Sequence, residues 1–312
     1  MIVTITMNPA IDKSTSVEKL VPEKKLRCTA MMAEAGGGGI NISKAIKELG
    51  GESLAIFPSG GINGKLIEDY LTGKQVAYKT IPIGHETREN IMVRESSTNA
   101  QYRFVMPGAE LSQREVNACF HLLQQLPDKP TIIVASGSLP PGIPEDFFAQ
   151  LAATAKKLGA RFIADTSGKP LLLAAQEGVF LLKPNMSELC SLVGKDFLEL
   201  EEVDDAARQV INKGECEAMV VSMGPAGAMW ITKDGQGQVP APVVKKQSTV
   251  GAGDSMVAGI TWMLQQGKSL QEAVYFGVAC GTAATMNAGT QLFKKTDVLR
   301  LYEWIKKQVA HK

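Results

Sequence analysis

Histidine is scarce in this chain: three in 312 residues, His85, His121 and His311, leave little material for a His-based metal centre or a catalytic triad. Cysteine is scarce too. Cys28, Cys119, Cys190, Cys216 and Cys280 are scattered, odd in number and never spaced as CxxC, which argues against a disulfide framework or a zinc site. No apolar run approaches the ~20 residues that a bilayer-spanning helix needs, and the start MIVTITMNPAID reads as strand and loop rather than signal peptide, so a cytoplasmic location is expected. An excess of charge of either sign is also missing. Thirty-three basic against 32 acidic residues give a net charge of +1, so no global field draws in nucleic acid or an anionic membrane. Any anionic ligand must be held locally. What is present, 45% hydrophobic and 21% charged residues, suits a folded protein with a substantial core.

Short apolar runs that end in Gly, Ser, Asn or Asp are each followed by a helix-like stretch, the pattern of parallel strands feeding crossover helices. Expected strands are Ile2–Thr6, Leu54–Phe57, Thr131–Ala135, Arg161–Ala164, Val179–Leu182 and Met219–Ser222. Expected helices are Asn41–Leu49, Glu145–Leu158, Ser187–Leu192, Val203–Asn212 and Asp254–Gln265. This βα alternation predicts an α/β fold, a doubly wound, mostly parallel sheet with ligands at the carboxyl ends of its strands. Two stretches break the rhythm. Asn90–Arg94 and Gln101–Val105 flank the turn-rich SSTNA and read as an antiparallel hairpin, and Lys13–Ala33 looks extended. Together they predict a small β-sheet lid, inserted from about 13–35 and 86–107 into a single domain covering 1–312, that serves as a lid or a dimer interface.

Chemistry concentrates in four segments. In STVGAGDSMVAGITWML, residues 248–264, a Ser/Thr/Gly loop enters an apolar helix, and the loop amides with the helix N-terminus can cradle an anion. Asp254 there is either an N-cap, the commonest use of Asp before a helix, or a base aimed at a hydroxyl beside a transferring phosphoryl group. AEAGGGGINISKAI, residues 33–46, places four consecutive glycines ahead of a helix, with Asn41 available to hydroxyls or phosphate; a flexible turn is the plain alternative. The run does not fit GxGxxG, because the third glycine would fall on Asn41 or Ile42, which weakens a nicotinamide oxidoreductase. SGGINGKL fails as a Walker A loop, since Ser59 and Leu66 stand where Gly and Ser/Thr are required. LLKPNMSEL, residues 181–189, presents Lys183, Asn185 and Glu188; the last two either hold magnesium, directly or through water, or simply cap a helix. Asp165 at a strand end can support the same ion. VVSMGPAGAMW adds Ser222, Gly224 and Gly227 in a strand-turn-strand suited to nucleotide phosphates. Lys25, Arg88 and Arg103 fall in the β layer and can converge on a sugar phosphate, while Asp12 after the first strand can clamp sugar hydroxyls.

GGGGIN, the KPNxxE run at 183–188 and STVGAGDSM, in that order, resemble the ribokinase-like phosphofructokinase B carbohydrate kinases, over essentially the whole chain. EKKLRCTA, AIFPSGG, QYRFVMPGA and SGSLPPG are similar to the minor bacterial 6-phosphofructokinase branch of that family. The resemblance implies transfer of the γ-phosphate of MgATP to the 1-hydroxyl of fructose 6-phosphate. It implies Asp254 as base and Gly251, Ala252 and Gly253 as an anion hole. Asp12, Gly37, Gly38, Asn41, Arg88, Arg103 and Ser138 would hold the sugar phosphate, with Lys25 reaching across a homodimer built through the lid. Lys183, Asn185, Ser222, Gly224, Gly227, Ser248 and Thr249 would hold ATP, and Glu188 would organise Mg2+. A K+ site would involve Ser248, Val250, Asn287 and Gly289, although Gln291 stands where the resemblance leads one to expect Arg. Competing expectations are a kinase for tagatose 6-phosphate or fructose 1-phosphate, and a non-catalytic sugar-phosphate sensor.

Overall fold

The computed structural model describes residues 1–287, 289 and 291–310. In chain order the strands are β1 (Ile2–Ile5), β2 (Ala10–Val17), β3 (Met32–Gly36), β4 (Ser53–Ser59), β5 (Ala77–Pro82), β6 (Arg88–Glu95), β7 (Gln101–Val105), β8 (Ile132–Ser136), β9 (Arg161–Asp165), β10 (Val179–Leu182), β11 (Cys216–Ser222), β12 (Ala228–Thr232) and β13 (Gln236–Val239). The helices are α1 (Gly38–Glu48), α2 (Gly61–Gly73), α3 (Gln113–Gln124), α4 (Phe147–Leu158), α5 (Gly168–Glu177), α6 (Met186–Val193), α7 (Val203–Asn212), α8 (Ala252–Gln265), α9 (Leu270–Thr285) and α10 (Lys295–Ala310).

Uninterrupted apolar strands such as IVTI and IIVAS are what a sheet covered on both faces requires. They form the middle of a nine-stranded sheet ordered β13-β12-β11-β10-β9-β8-β1-β4-β5, parallel except for the antiparallel edge strands β12 and β13. Alternate residues feed two cores. Val3, Ile5, Ile133 and Phe162 pack with α3 to α7 on one face; Ile2, Ile132, Val134 and Ile163 pack with α1, α8, α9 and α10 on the other. The amphipathic helix α7 shows why the layers hold: its buried residues, Val203, Ala206, Ala207, Val210 and Ile211, recur at helical spacing, with acidic residues in its first turn. The expected α/β architecture is thus the observed one.

A separate four-stranded sheet, β3-β2-β6-β7, stands beside the large one. The hairpin expected around SSTNA is present as antiparallel β6 and β7, and β2 joins β6 in parallel. Ile11 and Ala35 of this sheet pack with Ile40, Phe57, Ile67 and Leu71, anchoring its base to α1 and α2. Its two edge strands leave Met32 on β3 and Tyr102, Phe104 and Val105 on β7 exposed. The extended reading of Lys13–Ala33 holds only at the two ends. Residues 18–31 form an irregular segment in which Glu23 takes a positive φ of 59°, and Thr29 ties it to β2 through Ser16 and Thr15. Among the described residues no helix is long and apolar enough to cross a membrane.

Candidate active site

The order of the sheet reverses beside β1: the chain proceeds from β1 to β4 and β5 on one side and reaches β8 to β11 on the other. At such a switch point the carboxyl ends of the strands leave a crevice. Helix α1 starts there, three residues earlier than the sequence pattern suggests, because the glycines belong to its first turn. A Cβ on Gly38 would lie 2.1 Å from Ser136 Oγ, and one on Gly39 would lie 2.6 Å from the carbonyl oxygen of Ile5. The glycine run therefore lets α1 settle on the ends of β1 and β8, which is a packing demand rather than ligand space alone.

One turn into α1, Asn41 Nδ2 donates to Asp254 Oδ2 at 2.9 Å. Asp254 lies on α8, which begins at Ala252 with Gly251 as its N-cap residue in the left-handed conformation, φ 72°. Asp254 is consequently the third residue of the helix and caps nothing, so the N-cap explanation of this carboxylate fails. Burial pushes its carboxyl up to about 6, and the Asp165 charge adds to that; the Asn41 hydrogen bond, Lys183 and Lys44 pull the other way. A carboxyl so poised is ionised at neutral pH yet basic enough to accept a proton.

Lys183, buried just beyond β10, forms an ion pair of 3.1 Å with Asp165 at the end of β9, and Ser136 Oγ donates to the same carboxylate at 3.2 Å. Although burial disfavours its charge, Asp165, Glu188 and Asp254 together hold the Lys183 ammonium above its ordinary value. A cation fixed in this way faces the first turn of α8: a Cβ on Gly253 would lie 3.7 Å from its Nζ.

The nucleotide-side residues from the sequence gather around a cleft of about 500 Å³. Asn185, Ser222, Gly224, Gly227, Thr249, Ala252 and Gly253 all line it. Its remaining wall, from residues 241–246 and from Val278, Gly281, Thr282 and Thr285 of α9, carries no motif that sequence reasoning singled out. Ser248 is buried beside it and accepts from the Val250 amide at 3.2 Å. Asn185 and Glu188 form a reciprocal capping box at the start of α6. Burial raises the Glu188 carboxyl, so the helix cap accounts for both residues locally. Among the described residues no group of three or more His, Cys, Asp or Glu could hold a metal ion. A magnesium ion here would draw most of its ligands from phosphate oxygens and water, the usual manner of that ion.

On the other side of Asp254 lies the base of the small sheet. Asp12, raised by burial, accepts from Asn90 Nδ2 at 2.8 Å. Arg88 donates to the carbonyls of Met106 and Asn8 at 2.9 and 3.0 Å, and its buried Nε has no partner among the described residues. Ser138 Oγ accepts from Asn8 Nδ2 at 3.0 Å. Arg103 extends from β7 to the loop that precedes α8, 3.5 Å from Thr249 Oγ1. Lys25 is exposed on the 18–31 segment and, among the described residues, contacts none of these groups. Asn287 donates to the carbonyls of Ala283 and Leu292, and a Cβ on Gly289 would lie 3.5 Å from Ser14 Oγ.

Residues 1–297 match the family described as pfkB family carbohydrate kinase. The chain belongs to that family. It is 42% identical over 305 residues to the ATP-dependent 6-phosphofructokinase isozyme 2 of Escherichia coli K12, covering 97% of this chain and 98% of that one. It is 33% identical over 262 residues to a 1-phosphofructokinase of Xanthomonas campestris, covering 83% and 82% respectively. A crystal structure of phosphofructokinase-2 from Escherichia coli in complex with substrates and products superposes with a TM-score of 0.93, over 98% of this chain and 99% of that chain, at 42% identity. Lys44, which donates to Asn41 Oδ1 at 3.3 Å, escaped the sequence reading, as did Asn8 and the pairing of Asn90 with Asp12. A signal for Lys44 existed in its i, i+3 spacing from Asn41.

Proposed function

We propose that the chain is an ATP-dependent 6-phosphofructokinase, which transfers the γ-phosphate of MgATP to the 1-hydroxyl of fructose 6-phosphate. The observation that carries this reading is the Asp254 carboxyl, raised to about 6 by burial and held by Asn41 between a cleft of about 500 Å³ and the polar cluster of Asp12, Asn90, Arg88, Asn8 and Ser138. In this reading Asp254 takes the proton of the attacking hydroxyl. The amides of Gly251, Ala252 and Gly253, at the positive end of α8, neutralise charge on the phosphoryl group in flight. Lys183, Asn185, Ser222, Gly224, Gly227, Ser248 and Thr249 hold the nucleotide.

Asp12, Gly37, Gly38, Asn41, Arg88, Arg103 and Ser138 hold the sugar phosphate, the two arginines offering the forked donors that a phosphate dianion prefers. Magnesium shields the triphosphate, with Glu188 acting through water. Ser248, Val250, Asn287 and Gly289 would serve a potassium ion. The exposed apolar residues on the edge strands of the small sheet, Met32 on β3 and Tyr102, Phe104 and Val105 on β7, support a homodimer in which the sheet acts as a lid and Lys25 reaches the neighbouring site. A cytoplasmic setting fits substrates whose phosphate charges bar them from crossing a bilayer unaided.

The test is ADP release with fructose 6-phosphate, tagatose 6-phosphate and fructose 1-phosphate as acceptors. Fructose 6-phosphate is expected to give the highest kcat/KM. A tenfold preference for either other sugar would reassign the substrate, and binding of both ligands without turnover would make the protein a sensor.

A further inference from the structure

We propose that Lys44 is a positioning residue for proton acceptance: its ammonium fixes the Asn41 side chain in the one orientation that presents an amide N–H to the Asp254 carboxylate. The proposal rests on the reading of Asp254 as the base. An asparagine amide offers an acceptor at one corner and donors at the other, and a half-turn exchanges them. Turned the wrong way, Asn41 would set its oxygen against a carboxylate oxygen, two acceptors without a proton between them. Lys44 decides the matter because an ammonium has only donors. It donates to Asn41 Oδ1 at 3.3 Å, which leaves Nδ2 for Asp254 Oδ2 at 2.9 Å.

The ammonium is itself held in place. Ala35 O accepts from it at 2.7 Å at the inner end of β3, and its Nζ stands 5.2 Å from the centre of the Tyr70 ring on α2. Lys44 therefore ties the small sheet, α1 and α2 to the reactive carboxylate through one side chain. Its charge also bears on that carboxylate. Around Asp254, the Asp165 charge at the end of β9 opposes ionisation, while Lys183 beyond β10 and Lys44 on α1 favour it. Around Lys44, burial and Lys74 disfavour the cation, and Glu34, Asp12 and Asp254 sustain it. Asp12 belongs to the sugar-side cluster, so this one cation lies between the group proposed to hold the sugar and the group proposed to accept its proton.

The experiment compares the full-length protein with Lys44→Met, which removes both charge and donors at similar volume, and Lys44→Arg, which keeps them. The first readout is the pH titration of the Asp254 carboxyl carbon by NMR in the absence of substrate, identified by its disappearance in Asp254→Asn. The Met variant should raise that midpoint by about half a pH unit or more, at the low end of what a nearby opposite charge exerts, and Arg should restore it. The second readout is kcat and KM against pH. Lys44→Met should lower kcat at both pH values, by about 1.5-fold more near pH 6.5 than at pH 8.5 for a half-unit shift, with KM for ATP within about twofold. A midpoint unmoved in Lys44→Met overturns the proposal, since a merely structural loss would depress the rate equally at every pH. Should that variant not fold, the Lys44 ammonium nitrogen in the unaltered protein decides: its shift should follow the Asp254 titration, and a flat response overturns the proposal. Both titrations need no substrate, so failure of the wild type to phosphorylate a hexose phosphate would refute the proposed function and leave this result standing.

Discussion

Replacing Asp254 by Asn removes the proton acceptor while keeping the shape of the side chain, and it should move activity and stability in opposite directions. A positioned general base contributes about 10²- to 10⁴-fold, so kcat should fall within that range with little change in nucleotide affinity. Stability should rise. A carboxyl that titrates at about 6 in the folded protein instead of its ordinary 3.8 carries a cost of about 3 kcal/mol when ionised at neutral pH. Because the folded value lies above the unfolded one, that cost is absent below pH ~4, grows as pH rises to 6 and is complete above it. Water in the open groove screens part of it. The exchange of a charge-assisted hydrogen bond from Asn41 for a neutral one is already contained in that figure, because the Asn41 bond is one of the influences that set the value of about 6. The net expectation for Asp254→Asn is a gain of about 1–2 kcal/mol at pH 7.5, seen as a Tm higher by about 2–4 °C, and no gain at pH 4. Calorimetric scans at both pH values, beside turnover measured as ADP released per active site, would decide it. Undiminished turnover would refute the catalytic role. A variant less stable than the parent at pH 7.5 would refute the electrostatic account and make the carboxylate a structural group.

The same ionisation sets the pH profile: kcat at saturating sugar should halve near pH 6 and be about tenfold lower at pH 5 than at pH 7, whereas an ordinary Asp would leave it nearly flat over that range. Saturation matters because the sugar's own phosphate also titrates near 6. Asp165→Asn should have two consequences, one thermodynamic and one kinetic. It leaves Lys183, only 6% exposed, without its counter-charge, and urea unfolding should show a loss of about 3–5 kcal/mol. By removing the negative charge that opposes ionisation of Asp254, it should also move the acid limb of kcat to lower pH in whatever fraction folds.

Strands β1, β8, β9 and β10 were legible in the sequence because burial on both faces demands continuous apolar residues, and that demand is local. Helix starts were less so. α1 begins at Gly38 because glycines that look like loop in the sequence settle into its first turn against the ends of β1 and β8, and α8 begins at Ala252, two residues before the expected start, behind the left-handed Gly251. The 18–31 segment shows the opposite failure: it was expected to be extended, yet Pro22 and the left-handed Glu23 interrupt any ladder. Individual site residues such as Asp254, Asn41 and Lys183 were legible because each follows a strand end or a glycine run. Their partners were not. Asp165 with Lys183, and Lys44 acting through Asn41 on Asp254, meet only because distant strand ends converge, and the α9 wall of the cleft faces the nucleotide side only through packing of α8 on α9.

The two glycine-rich segments, similar on paper, answer to different physics, and the difference bears on where catalysis is tolerant of change. At Gly38 the space a side chain would take is already filled by Ser136, so the residue is glycine for the sake of the fold. At Gly253 a Cβ would make only ordinary contact, 3.7 Å from Lys183 Nζ, so nothing in the protein itself requires glycine there. In the proposed reaction the requirement comes from the approach of a ligand to the first turn of α8, where helix geometry leaves amides without intrahelical partners. Gly251 supplies the left-handed turn that starts the helix without a capping side chain, so among the described residues no hydroxyl or carboxylate competes for those amides, although the Ala252 amide donates to the Thr249 carbonyl at 3.4 Å. Asp254, one residue further on and turned toward Asn41, would in the proposed reaction take a proton without occupying the anion's place. Separating the two jobs along one helical turn would let a negative side chain and a negative substrate group share the same end of α8.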